Sequence, residues 1–438
     1  MRRTVEQVLA LAPDEASRRA GSRLGTAGPW SGVGGRDGVV WGRCEGSGRT
    51  PYRTVVDTAG PAYACTCPSR SSPCKHALGL MLLCAADGAA VPDGAEPPDW
   101  AARRLSTRAA RAERGTAPAA PADPEAARRR AERRAARMTA GAEELERRLA
   151  DLVRGGLATA GQQGYALWEE TAARMVDAQA PGLAGRVREL GAIPGSGPGW
   201  PVRLLEECAL THLLDRAWLS ADRLPADLAT TVRTRVGLPS APGGAAVRDR
   251  WLVLAQYDTG DGRLTTRRIW LHGTDTGRTA LLLSFGAAGR APALALPVGT
   301  LVDGELTPHA GAGQLRADPG ERLVPVAGPA APPPGGPVGA ALDAYGRALR
   351  EDPWLESWPV TLDRVVPAPA EYGWQLADAD GREALPLTGG DRPRPGLWRL
   401  LALSGGTPVT VFGECGHRGF TPLAAWSPDT PGETVPLV

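Results

Sequence analysis

No apolar run in this chain approaches the ~20 residues that span a bilayer, so no membrane-crossing helix is expected. No GxxxxGK[ST] motif occurs, which argues against an intrinsic P-loop ATPase, and no GxSxG nucleophile elbow is present. The glycines at Gly32-Val-Gly34-Gly35 form too short a run for a dinucleotide fingerprint, and no apolar strand precedes them. Carboxylates are scattered, with no pair placed for acid–base work. Net charge is nearly absent as well: +2 over 438 residues, which gives no global electrostatic case for a nucleic-acid partner. Lysine is almost missing, Lys75 being the only one. Together with abundant Ala, Gly and Pro, this points to GC-rich coding of the kind found in high-GC bacteria. Two arginines open the chain, but Glu6 and Gln7 interrupt any signal-peptide core. A cytoplasmic protein without enzymatic activity is the expectation.

What the chain does have is concentrated in twelve residues: Cys65-Thr-Cys67-Pro-Ser-Arg-Ser-Ser-Pro-Cys74-Lys-His76. Three thiols and an imidazole are the donor set of a tetrahedral Zn²⁺ site. The one-residue gap in each pair puts both side chains on one face of an extended chain. The loop between the pairs, residues 68–73, is Pro, Ser and Arg, which is turn chemistry. Three thiolates and a neutral imidazole around Zn²⁺ leave a net charge of −1, which Lys75 and Arg70 would offset. Disulfide pairing is the competing reading, and it accounts poorly for the histidine. Four protein ligands close the shell, so a structural metal is expected rather than a catalytic one. Thiols held on a metal also suit a reducing compartment.

Around this cluster the pattern predicts strands at 39–44 and 52–57, a turn at 46–48, and a short apolar helix starting near His76. This arrangement resembles the SWIM-type zinc finger, CxCx(n)CxH followed by a helix. All four ligand positions match at Cys65, Cys67, Cys74 and His76, and Tyr63 and the apolar helix fit as well. The resemblance covers residues 38–87. It implies a zinc-dependent module that contacts protein or nucleic acid. Bacterial chains similar to this one, with an N-terminal finger and a long remainder, accompany MoxR-type AAA+ ATPases and von Willebrand A-type proteins. An adaptor role with a protein partner, as an accessory to such an ATPase system, is what that similarity implies. DNA binding through the finger and the Arg-rich segment is the alternative, with phosphate contacts in the finger from Arg43, Arg49, Arg53, Arg70 and Lys75.

The remainder divides by composition. Helices are expected at 5–11 and 14–23, the second capped by Asp14, followed by a Gly-rich stretch at 25–38. Residues 101–137 hold eleven arginines against Glu113, Asp123, Glu125 and Glu132, a local hint of a nucleic-acid or acidic-protein partner, or simply a solvated segment. Helical periodicity returns at 125–153, 165–179, 183–190, 202–219 and 228–236. In the fourth of these, Leu205, Cys208, Ala209, His212, Leu213 and Trp218 read as one apolar face, with Cys208 and His212 a buried pair. Short apolar runs then predict strands at 251–257, 268–272, 280–285 and 301–306, a helix at 338–350, and strands at 358–366, 372–376, 397–403, 409–412 and 420–426. Cys415-Gly-His417 repeats the Cys-x-His spacing without a second thiol pair, so no second zinc site is expected. Cys44 and Cys84 read as small core residues.

The expected fold class is therefore α+β and multidomain, with a zinc-stabilised ββα finger, a central helical bundle and a mainly-β C-terminal region. The expected units are residues 1–87 (zinc finger module), 88–124 (Pro/Ala/Arg-rich linker), 125–236 (helical domain), 247–328 (β-rich domain) and 338–438 (second β-rich region with a leading helix).

Overall fold

A four-stranded antiparallel meander carries the candidate ligands: β1 (Trp30–Arg36), β2 (Val39–Cys44), β3 (Tyr52–Asp57) and β4 (Ala62–Cys65), in that spatial order. The computed structural model describes the chain except at residues 1–4, 10, 13–14, 46–49, 59–61, 70–72, 87–89, 104–123, 158–159, 161–163, 239–242, 261–263, 288–291, 293, 312, 314, 329–330, 372 and 389–394. The expected turn at 46–48, the Asp14 cap, Arg49 and Arg70 lie outside the described residues.

The expected hairpin β2–β3 gains a strand on each side. β1 lies within the stretch read as merely Gly-rich, and its glycines have a packing reason. A Cβ on Gly34 would stand 2.9 Å from the Trp41 ring and 2.8 Å from Ala95. Glycine lets Trp41 and the chain at Ala95 close against the sheet. Helix α3 (Lys75–Ala86) follows the ligand loop, and its residues from His76 to Cys84 are all buried. One sheet face, with Val40, Cys44 and Val56, packs on α3. Helices α1 (Val5–Leu9) and α2 (Glu15–Ser22) also pack on α3: Gly21 of α2 meets Leu78, and just past the end of α2 Leu24 meets Gly79. The opposite sheet face, with Val39, Trp41 and Val55, is covered by Trp100 and Ala101. The chain is tied there by Gly35 N–H to Pro92 O at 2.8 Å and Ala95 N–H to Gly35 O at 3.3 Å. Both faces of the sheet are thus spoken for.

The middle of the chain is helical: α4 (Pro124–Gly155), α5 (Gly164–Asp177), α6 (Pro181–Ala192), α7 (Trp200–Leu219) and α8 (Ala226–Arg235). Proline in the first turn of α6 and α7 costs no hydrogen bond there. Their shared core runs through Met138, Leu145, Met175, Leu183, Leu204 and Trp218. The buried face of α7 is Leu204, Cys208, Thr211, Leu214, Asp215 and Trp218. Contrary to the expected apolar face and buried pair, Leu205, Ala209 and Leu213 are exposed, and His212 is exposed while Cys208 is buried. Leucine occurs on both sides of this helix, so hydrophobicity alone selected the wrong side.

One residue in that core is conspicuous. Asp215 is 0% exposed, and neither carboxylate oxygen has a hydrogen-bond partner. Burial, with a smaller contribution from Glu146, pushes its carboxyl up to about 8.

Two antiparallel sheets make up the rest. The first has five strands in the order β7-β6-β5-β8-β9: β5 (Val247–Gly260), β6 (Leu264–Gly273), β7 (Thr279–Ala287), β8 (Leu301–Pro308) and β9 (Ala317–Val326). After α9 (Val338–Glu351), the second has six, ordered β12-β11-β10-β13-β14-β15: β10 (Ser357–Ala370), β11 (Gly373–Asp378), β12 (Ala384–Pro386), β13 (Val409–Gly416), β14 (Gly419–Trp426) and β15 (Val435–Pro436). Residues 397–403 are not the expected strand; they lie in α10 (Pro395–Ser404), where Leu400 and Ser404 turn inward one helical turn apart. The continuous apolar run at 251–255 has a two-sided explanation. Trp251 and Val253 fill the first sheet's own core, whereas Leu252, Leu254 and Ala255 meet Phe412, Leu423, Ala424 and Trp426 of the second sheet. Period-two alternation divides residues 251–254 between the two apolar surroundings, and the register shift between Val253 and Ala255 puts Ala255 on the same side as Leu254.

The bundle is sealed from outside its own sequence. Trp354, between α9 and β10, is 3% exposed within the bundle core, and its indole N–H donates to Leu210 O at 2.9 Å. Beside it Arg235 donates to the buried Asp352 carboxylate through Nε at 3.0 Å. No described helix is long and apolar enough to cross a membrane.

Candidate metal centre

Each of the four predicted ligands arrives from a different local device. Cys65 ends β4, and Cys67 follows it as the strand runs out. Cys74 sits at the mouth of α3, where its carbonyl accepts from Leu78 N–H at 3.0 Å and its Sγ accepts from Ala77 N–H at 3.5 Å. His76 lies in the helix's first turn and is 3% exposed. The strand end and the helix start converge because β3 holds both: β4 pairs with β3, and α3 packs on the face that includes Val56.

The four donor atoms lie within 4.8 Å of one another. Bond lengths of about 2.3 Å to sulfur and 2.0–2.1 Å to nitrogen imply tetrahedral ligand separations of about 3.6–3.8 Å. Cys65 Sγ and His76 Nδ1 are 3.7 Å apart. The donor set and its spacing therefore fit Zn²⁺, with Cys65, Cys67, Cys74 and His76 as the holding residues. When bound, the ion supplies structural cross-linking of strand to helix, since four protein donors leave no position for water.

The electrostatics agree. Cys65 is drawn down to about 3, first by its hydrogen bond with Cys74 and also by those with His76 and Thr54. Cys74 is pushed up, chiefly because it is the partner sharing that bond, and Cys67 is pushed up by burial. One thiolate is favoured and its neighbours resist a second and third negative charge at such short range. A dication among them reverses that repulsion and lets all three ionise.

Three supporting groups were invisible in the motif. Thr54 Oγ1 lies 3.3 Å from Cys65 Sγ, the Tyr52 ring packs tilted against His76 at 4.8 Å between centroids, and the Ala77 amide contacts Cys74. Each depends on the β3–β4 register or on the helix start, which spacing alone does not reveal. Supporting contacts of this kind orient ligands and raise their basicity. Cys44 and Cys84 are buried in the finger core. Burial pushes the Cys44 thiol up to about 11, as expected of a thiol in apolar surroundings. Cys415 is buried on β13, and among the described residues only the Cys65–His76 group gathers metal-type donors.

Comparison with known families agrees with this geometry. Residues 54–85 match the SWIM zinc finger, and residues 133–236 match the SWIM-associated four-helix bundle domain. No curated protein and no solved structure matches the chain.

Proposed function

We propose that this chain is a non-enzymatic adaptor whose zinc-clamped SWIM finger engages a protein partner. The observation that carries this reading is the closed four-donor cluster, which fixes a surface and leaves no open coordination position for chemistry. The finger also does not offer its helix, because α3 is buried from His76 to Cys84. What it presents is the far end of the sheet and the exposed Lys75 beside the ligands. The partner we favour is a component of a MoxR-type AAA+ ATPase system, on the strength of the resemblance in layout, an N-terminal finger followed by a long remainder.

Nucleic acid is the second reading, and one observation favours it. Arg43 and Arg53 are directly opposite on β2 and β3, both exposed. Like charges facing across strands are destabilising unless an anion lies between them. An affinity capture from the native host separates the two. An AAA+ ATPase retained by the wild type and lost with Cys67→Ser supports the adaptor; nucleic acid alone in the eluate replaces it with the second reading.

A further inference from the structure

Helix α4 outruns the bundle it belongs to. Its first fully buried side chain is Met138, 1% exposed, about four turns after Pro124. Before that point Glu125 and residues 128–133 are all exposed. No described side chain between Glu125 and Arg133 is buried. It is helical because Ala, Arg and Glu are strong helix formers, helped by the pairs Arg129–Glu125 and Arg128–Glu132, each at 2.8 Å. The family match to the bundle starts only at residue 133, so residues 124–132 are an addition to that domain.

Its charge is organised. At 3.6 residues per turn, Arg129, Arg130, Arg133, Arg134 and Arg137 share an arc of roughly 140°, with Glu125 and Glu132 outside it. Arg134 donates to the carbonyl of Gly237 at 3.2 Å, and Arg137 to the Gln179 side-chain oxygen at 3.0 Å. Those partners are neutral, so both cations stay uncompensated. Arg130 and Arg133 have no acidic partner among the described residues. Like-charged neighbours three and four apart destabilise a bare helix, and a polyanion is what would relieve them.

We propose that this arm, residues 124–137, docks in the major groove of double-stranded nucleic acid and contacts its phosphate backbone. A helix about 10–12 Å across fits a groove about 12 Å wide. Guanidinium forks match phosphate oxygens in pairs. Glu125, Glu132 and Arg128 lie on the flank away from the arc, Arg128 paired with Glu132, so one face of the arm is cationic and that face is the one turned to the groove. The arginine excess also continues upstream in sequence through Arg103, Arg108, Arg111 and Arg114. The surface is separate from the finger and goes beyond the protein-partner reading, making the chain a bridge between a protein and a polyanion.

The test uses the full zinc-loaded chain and a fluorescein-labelled duplex of about 20 base pairs, followed by anisotropy from about 50 to 200 mM salt. Wild type should bind at low salt, with log K falling linearly against log salt. Arg130→Gln with Arg133→Gln, both exposed, should keep the circular dichroism spectrum, weaken binding about tenfold at low salt and lessen the slope by about 2. No wild-type binding at about 50 mM salt overturns the proposal. So does undiminished binding by the double variant. A loss confined to Arg43→Gln with Arg53→Gln assigns the contact to the finger and overturns the arm while leaving the second reading intact. Poly-glutamate displacing the duplex as well as unlabelled duplex does, charge for charge, assigns an acidic protein and also overturns it.

Discussion

Asp215→Asn should stabilise the helical bundle at neutral pH and flatten its pH dependence. The carboxyl is 0% exposed and without a hydrogen-bond partner. Burial pushes it up to about 8 in the folded chain, against about 3.9 when unfolded. A raised acid keeps a proton in the native state that the unfolded state gives up. Its neutral form is therefore tolerated fully below about pH 4, and stability is lost as pH rises from about 4 to about 8. At pH 7 about three units of that interval have been crossed. At ~1.4 kcal/mol per unit the cost is at most about 4 kcal/mol, and water entry or relaxation brings it to about 2–4 kcal/mol. The neighbouring Glu146 is engaged by Arg216 at 3.3 Å, so that pair leaves Asp215 unneutralised. Hydrogen exchange of the α7 amides, measured from pH 5 to 8.5 and corrected for intrinsic rates, reads the bundle separately from the other units. Wild-type protection should fall across this range while Asp215→Asn stays level and exceeds it at pH 7. Parallel pH profiles, or a variant less protected at pH 7, would refute the buried and unpartnered carboxyl as the cause.

Purified protein should carry one zinc per chain by elemental analysis, and Cys67→Ser should lose it along with finger structure. The metal's contribution is on the order of 10 kcal/mol, so a metal-free wild type that stays folded under reducing conditions would contradict the centre. Trp354→Ala should cost the bundle about 3–5 kcal/mol by leaving a cavity; unchanged α7 exchange would show that the indole does not seal it. Gly34→Ala should cost about 1–3 kcal/mol through overpacking against Trp41, seen as a lower melting temperature of the zinc-loaded finger, and a neutral effect would mean the sheet yields there.

The ligand cluster was legible because metal chemistry fixes both residue type and short spacing, and Cys65 to His76 satisfy both within one stretch of chain. The long helices were legible for a similar reason: a 3.6-residue repeat sustained over many turns, as in α4, leaves few alternatives. What escaped the sequence depended on distant partners. β1 hides in glycines that look like a linker until Trp41 and Ala95 close on them. The inward side of α7 cannot be chosen locally, since Leu204 and Leu205 are equally apolar and tertiary packing alone selects one. Residues 397–403 have the leucine content of either a strand or a short helix, and a run of that length carries too few turns to decide. Nothing near Asp215 in the sequence announces that its carboxyl is sealed away, because burial is set by helices contributed from elsewhere.

The Trp354 contact also has a temporal side. Residues 133–236 leave the ribosome long before the indole that completes their core, since synthesis runs from the N-terminus. Until Trp354 arrives, the pocket at Leu210 must stay open, and the nascent bundle should be more sensitive to protease than the finished one. A chain arrested before residue 354 and one arrested after the second sheet should differ in that sensitivity. The bundle's boundary in the gene is thus not its boundary in time: it becomes whole only when the last sheet begins to form.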